Sequence, residues 1–317
     1  MKIVMIGPGA MGSLFGGLLT RAGEDLWLVG YRTGQVETIC SVGLTLEEKE
    51  GPQIIPMKAT PDVTSVGKAD VVIFFVKTYD TEKAVSDSLV LEKEDTIFLT
   101  LQNGLGNEEV ICKKIDQRKV MLGITGHGAT LLRPGHVRHA GWGKTFIGEL
   151  DHRITERANR IAQMFYKAGI DTEVSPNIHD QVWGKLLVNV GINALTALTG
   201  FKNGQLLDYP ETARLVEKLV LEAAEVARRK GAHVEEDPIE KVRKAAAATR
   251  ENRSSMGQDF DHRRKTEIDA INGAVVREAQ SLGIPVPFNQ TVTDLVKAIE
   301  KSFETRSTKS EIRNKFE

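Results

Sequence analysis

A chain of 317 residues exceeds what one hydrophobic core usually organises, so two domains are expected, each large enough to fold without staples. Its 42 Lys and Arg against 43 Asp and Glu leave no basic surplus for phosphate backbones or anionic lipid. That balance argues against a nucleic-acid or membrane protein and makes a small molecule the default partner. Cys40 and Cys112 stand far apart, with no CxxC spacing and no His companion, and both read as reduced, inert core residues. With no basic leader, no cleavage site and no apolar run near the roughly 20 residues of a spanning helix, a soluble cytoplasmic protein is expected.

In chain order, residues 3–6, 26–29, 71–76, 97–101 and 120–124 are short apolar runs. Helical stretches separate them, the alternation of a parallel sheet with crossover helices. The first run leads into Gly7-Pro8-Gly9-Ala10-Met11-Gly12, a G-x-G-x-x-G turn that opens a helix through Leu14, Leu18 and Leu19. In that context Gly7 permits the tight turn, Gly9 the approach of a pyrophosphate, and Gly12 close packing of helix on strand. The unpaired N–H groups of the helix start suit phosphate. After the second strand, Val29-Gly30-Tyr31-Arg32 offers no carboxylate for ribose hydroxyls but a guanidinium for a 2′-phosphate, which favours NADPH over NADH. An ordinary surface Arg is the alternative. Lys77 and Asn103 follow two further strands, where ligands of such sheets bind, although Asn103-Gly104 is turn chemistry in its own right.

Residues 134–150 change texture. His136 and its neighbours, followed by 144–148, read as a hairpin added to the sheet. Beyond Pro176 the strand signal ends and five helices are expected: from about 176 to Gly200, 212–230, from Pro238, 268–282, and one after Asn289. In the first of these, Lys185, Asn189 and Asn193 recur every four residues on an otherwise apolar helix, so they share one face that reads as a semi-buried cleft wall. A lysine held there is a candidate proton donor, because burial lowers its pKa; a snorkelling structural lysine is the alternative. Farther on, Ser255 could bind a carboxylate and Glu267 could orient a hydroxyl or a lysine. By residue type alone, helix capping and solvation are the favoured explanation of both. His127, His136, His139 and His152 are scattered and read as surface or core residues.

These residues together resemble the ketopantoate reductase family over nearly the whole chain. The resemblance rests on the glycine turn, the strand-end Lys77 and Asn103, Lys185-x-x-x-Asn189-x-x-x-Asn193, Ser254-Ser255-Met256-x-Gln258-Asp259, and Thr266-Glu267-Ile268-Asp269-x-x-Asn272-Gly273, in that order. It implies an α/β fold: an N-terminal Rossmann-type doubly wound sheet over 1–172 that binds NADP(H), and an all-helical C-terminal domain over 173–317. It further implies hydride transfer from NADPH to the ketone carbon of 2-dehydropantoate, giving pantoate for pantothenate and coenzyme A synthesis. Lys185 then matches the general acid and Glu267 the acidic residue near that lysine and the substrate hydroxyl. Asn189, Asn193 and Ser255 match substrate-binding positions, with Asn203 a weaker match. Gly7 to Gly12, Arg32, Lys77, Asn103 and Glu267 match the cofactor side. No metal is needed, and a homodimer is left open. A reductase of another 2-keto acid or a β-hydroxyacid dehydrogenase shares much of this pattern. A non-catalytic nucleotide-binding sensor or scaffold is the reading of a different class.

Overall fold

The computed structural model describes residues 1–31 and 33–313, without the side chains of Thr33 and of residues 304–313. Arg32, the expected 2′-phosphate ligand, lies outside the described residues. The chain divides into two compact units, Met1–Gln102 with Gly106–Gln181, and Asn103–Leu105 with Val182–Glu317.

Among the described residues of the first unit, twelve strands run in chain order: β1 (Lys2–Ile6), β2 (Asp25–Val29), β3 (Leu44–Glu48), β4 (Gly51–Ile55), β5 (Lys58–Thr60), β6 (Val71–Phe74), β7 (Ile97–Thr100), β8 (Val120–Thr125), β9 (Gly128–Arg133), β10 (His136–Gly141), β11 (Thr145–Glu149) and β12 (Thr172–Val174). Eight of them form one sheet in the order β12-β11-β8-β7-β6-β1-β2-β5. From β5 to β8 every pairing is parallel; β11 is antiparallel to β8. The cause is in the side chains: Val71–Phe74 and Ile97–Thr100 are buried throughout, as strands covered on both faces must be. The strand order reverses between β1 and β6, so their carboxyl ends flank the crevice where this topology binds ligands.

The remaining strands form a second sheet, β4-β3-β10-β9, which overturns the expected hairpin. β10 pairs with β3 and β9, whereas β11 pairs with β8 and β12. Between them the chain leaves one sheet for the other, and Gly126 N–H donates to the Lys144 carbonyl (2.9 Å) where the two connections meet. Cys40, expected in the core, is exposed, and Cys112 is half-buried.

The small sheet also joins two of the scattered histidines. His127 and His139 are 8% and 4% exposed, with Nδ1 of the first 2.9 Å from Nε2 of the second. On the far side of His139, Nδ1 lies 3.4 Å from Glu48 Oε1, and Glu48 pairs with Arg21. Burial, then the neighbouring His139, pushes His127 down to about 4. An imidazole held neutral in the fold is protonated first in the unfolded chain. Stability is therefore complete above the ordinary value of 6.5 and is lost as pH falls from there toward 4. Between pH 7 and pH 4.5 the expected loss from His127 is about 2 kcal/mol, read as the fall in the urea midpoint; the slope flattens in His127→Gln.

The second unit is helical, as expected. Among the described residues its helices are Ile178–Thr199, whose first four residues are counted with the first unit, Pro210–Arg229, Pro238–Ala248, Ser255–Asp261, Asn272–Leu282 and Pro287–Arg313. Asp237 caps the third, its Oδ1 accepting from Glu240 N–H at 2.8 Å. The residues after Arg253, expected as a loop, form the short fourth helix because Ser254 caps it. The fifth starts at Asn272 rather than 268, after a 3₁₀ turn over Ile268–Ala270. Contrary to expectation, the helix Ile178–Thr199 is long and apolar enough, by length and composition, to cross a membrane. In its most apolar window, however, 67% of the residues are buried in protein, and Leu186, Leu187, Val190 and Leu195 belong to the unit's core.

Candidate active site

In the first unit the glycine turn follows β1 directly. Gly7 has φ +113°, and a Cβ there would stand 2.8 Å from the Phe75 carbonyl carbon, so only glycine suits. A Cβ on Gly12 would lie 2.0 Å from the Gly7 oxygen, which ties the helix Ala10–Arg21 closely to the strand. Around Gly9 a Cβ would meet nothing within 4 Å: the side that must stay bare for a pyrophosphate is open. The residues present therefore fit a dinucleotide at this helix start. Lys77 is half-buried at the end of β6, where its carbonyl accepts from Asp80 N–H (2.8 Å) to close a turn. Gln102, not singled out in the sequence, stiffens these strand ends: its Nε2 donates to Val76 O (2.9 Å) and Thr81 Oγ1 (2.8 Å).

The second unit assembles the charged groups. Lys185 is half-buried on the long helix, and its Nζ donates to Asn103 Oδ1 at 2.8 Å. Burial brings its ammonium down to about 8, against the opposing pull of the Glu267 carboxylate. Glu267 is 6% exposed and makes no side-chain cap to the turn that it opens, so neither solvation nor capping accounts for it. Asn103 and Glu267 reach this place through one docked pair of segments. Leu105 N–H donates to the Ala270 carbonyl at 3.0 Å, and Gly104, at φ +84°, leaves no room for a Cβ, which would stand 2.5 Å from the same oxygen. A lysine ammonium with a depressed pKa, an amide acceptor and a buried carboxylate form an acid whose proton can leave near neutral pH.

Asn189 and Asn193 follow Lys185 by one and two turns, half-buried and buried. The start of the helix Ser255–Asp261 is fixed to this same element. Ser254 Oγ accepts from Gly257 N–H (2.9 Å) and lies 2.6 Å from Thr196 Oγ1, which donates to the Asn193 carbonyl (3.0 Å). Ser254, not Ser255, is thus the cap, and Ser255 is exposed. Asn203 is buried; its Nδ2 donates to Thr249 Oγ1 (2.9 Å), while among the described residues nothing donates to its Oδ1. The structure brings Asn103 and Lys185 into contact and sets Glu267 within their electrostatic reach. Gly7 to Gly12 and Lys77 belong to the first unit.

Residues 3–152 match the model of the family described as ketopantoate reductase PanE/ApbA, and residues 177–300 match its C-terminal counterpart. A 2-dehydropantoate 2-reductase of Halobacterium salinarum is 38% identical over 95% of this chain and 99% of its own length. Among solved structures, a PanE/ApbA family ketopantoate reductase from Ralstonia eutropha JMP134 superposes with a TM-score of 0.89 at 32% identity, covering 96% of this chain and all 100% of the other. A ternary structure of D-mandelate dehydrogenase with NADH and anilino(oxo)acetate gives a TM-score of 0.91 at 30% identity, covering 96% and 99%.

Proposed function

Because the chain belongs to the ketopantoate reductase family, we propose that it is an oxidoreductase that reduces 2-dehydropantoate to pantoate with NADPH, with Lys185 as the general acid. The observation that carries this reading is the Lys185 ammonium, brought down to about 8 beside Glu267 and hydrogen-bonded to Asn103. A nicotinamide cofactor bound at the glycine turn supplies the hydride to the ketone carbon. As negative charge develops on the ketone oxygen, Lys185 stabilises it and gives up its proton. Glu267 keeps the ammonium charged until then and accepts from a substrate hydroxyl. Asn103, which accepts from the Lys185 ammonium, serves both substrate and cofactor in this reading, and Asn189, Asn193, Ser255 and Asn203 hold the keto acid. Lys77 serves the cofactor. Residues 1–172 bind the nucleotide in this reading and residues 173–317 the substrate, in the cytoplasm. The direct test is NADPH oxidation on mixing with 2-dehydropantoate; absence of turnover with it and with every other 2-keto acid leaves a nucleotide-binding sensor.

A second reading is favoured by the D-mandelate dehydrogenase, whose structure holds NADH: another branched or aryl 2-keto acid, reduced with NADH. The same assay with a panel of 2-keto acids and both cofactors separates the two. Arg32 carries the choice of cofactor. In Arg32→Ala, NADPH affinity is expected to fall about tenfold or more, the worth of a charge-assisted pair, with NADH affinity nearly unchanged. Equal losses for both cofactors remove Arg32 from that role.

A further inference from the structure

The helix that carries Lys185 and the segment that carries Glu267 are joined by one fully buried side chain outside the acid site. Asn272 is 0% exposed, and its Nδ2 donates to the Val190 carbonyl (3.3 Å) and to Asn289 Oδ1 (3.0 Å). Val190 is five residues beyond Lys185, about 7.5 Å along the helix, and next to Asn189. Asn272 is five residues beyond Glu267 and two beyond Ala270, whose carbonyl docks the Asn103–Leu105 segment.

Behind Asn272 the tie is anchored on two more helices. Asn289, also 0% exposed, donates from Nδ2 to the Leu219 carbonyl (3.1 Å) and to Glu222 Oε2 (2.8 Å). Glu222 also accepts the backbone N–H groups of Phe288 (3.0 Å) and Asn289 (2.9 Å), which caps the start of the helix Pro287–Arg313. Both hydrogens of each amide are used; Val190, Asn289 and Leu219 are buried and Glu222 is half-buried, so the bonds inside the core are costly to leave unmade. Buried amides that specify one arrangement among apolar packings fix register more than they add stability. An apolar residue at 272 could fill the volume; it could not set the roll of the Lys185 helix against the turn that carries Glu267.

We propose that Asn272 is a positioning residue for the reduction: it holds the Lys185 helix in register with the Glu267–Ala270 turn, so that ammonium, carboxylate and the Asn103 amide converge. The proposal rests on Lys185 being the acid, as proposed above. In Asn272→Ala, kcat is expected to fall roughly ten- to hundredfold, the usual consequence of a displacement of about 1 Å at the chemistry. The high-pH limb of kcat moves upward as Lys185 gains water, and cofactor affinity, measured by fluorescence titration, is unchanged.

Asn289→Ala removes the anchor behind Asn272 without touching the Lys185 helix and serves as the stability control; Asn272→Ser, which keeps a shorter donor, is the second variant should Asn272→Ala not fold. A kcat loss several-fold larger at 272 than at 289, at comparable loss of thermal midpoint, supports the role. A folded Asn272 variant with native kcat and an unmoved pH limb overturns it, as does an equal loss in Asn289→Ala. Lys185→Ala is assayed alongside: if it still turns over, the acid assignment and the positioning role both fall. If it is inactive while Asn272 variants are indifferent, only the positioning role falls.

Discussion

Replacing Lys185 with alanine is expected to lower turnover by about two to four orders of magnitude, the usual worth of a positioned general acid, while the affinity for the nicotinamide cofactor stays near that of the native protein. The size follows from the absence of a substitute among the groups placed here. Asn103, which accepts from the ammonium, carries no ionisable proton, and Glu267 favours the charged form of the lysine. Water can protonate the nascent alkoxide, but without the charge stabilisation that precedes the transfer. The cofactor turn lies in the other unit, built on Gly7, Gly9 and Gly12, so the substitution leaves its architecture alone. Steady-state kcat and a fluorescence titration with NADPH measure the two quantities separately. Near-native turnover in a folded variant removes Lys185 from the chemistry.

The second large effect belongs to Glu267→Gln, which keeps shape and removes charge. Glu267 favours the protonated lysine, against the dominant effect of burial, and the balance rests at about 8. Without the carboxylate, burial acts unopposed and the lysine pKa drops below that value. A general acid works only while protonated, so the high-pH limb of kcat moves to lower pH. A shift of about one unit cuts the active fraction about tenfold on that limb, added to whatever is lost at the substrate hydroxyl. The pH profile of kcat from pH 6 to pH 10 is the measurement. A limb that stays in place, or moves upward, contradicts the assignment, whatever happens to the rate.

Much of this was legible in the sequence because burial writes itself into composition. Strands covered on both faces, such as Val71–Phe74 and Ile97–Thr100, appear as unbroken apolar runs, and the glycine turn carries its meaning through its place after the first of them. The stripe of Lys185, Asn189 and Asn193, spaced by four, survives in the structure as one helix face for the same reason. The second sheet was not legible. Thr45 pairs with His136, some ninety positions away, and nothing local in Leu44–Glu48 names that partner; proximity in sequence favoured joining β10 to β11 instead. Nor could periodicity bring His127 to His139, since each lies in a different strand or connection of that sheet. Glu267 was ambiguous for a related reason. An acidic residue ahead of a helix is chemically ordinary, and only burial without a capping bond sets it apart.

The division of labour between Ser254 and Ser255 bears on how such a site could change its substrate. The first hydroxyl is committed to architecture, through the Gly257 amide and the Thr196 hydroxyl; its neighbour is exposed and spared that duty. If Ser255 holds the keto acid as proposed, variation at 255 alters what is recognised without a toll on folding, whereas variation at 254 loosens the scaffold first. Selection for new keto acids, in the laboratory or in nature, has an inexpensive dial at one of two adjacent serines and a locked one at the other.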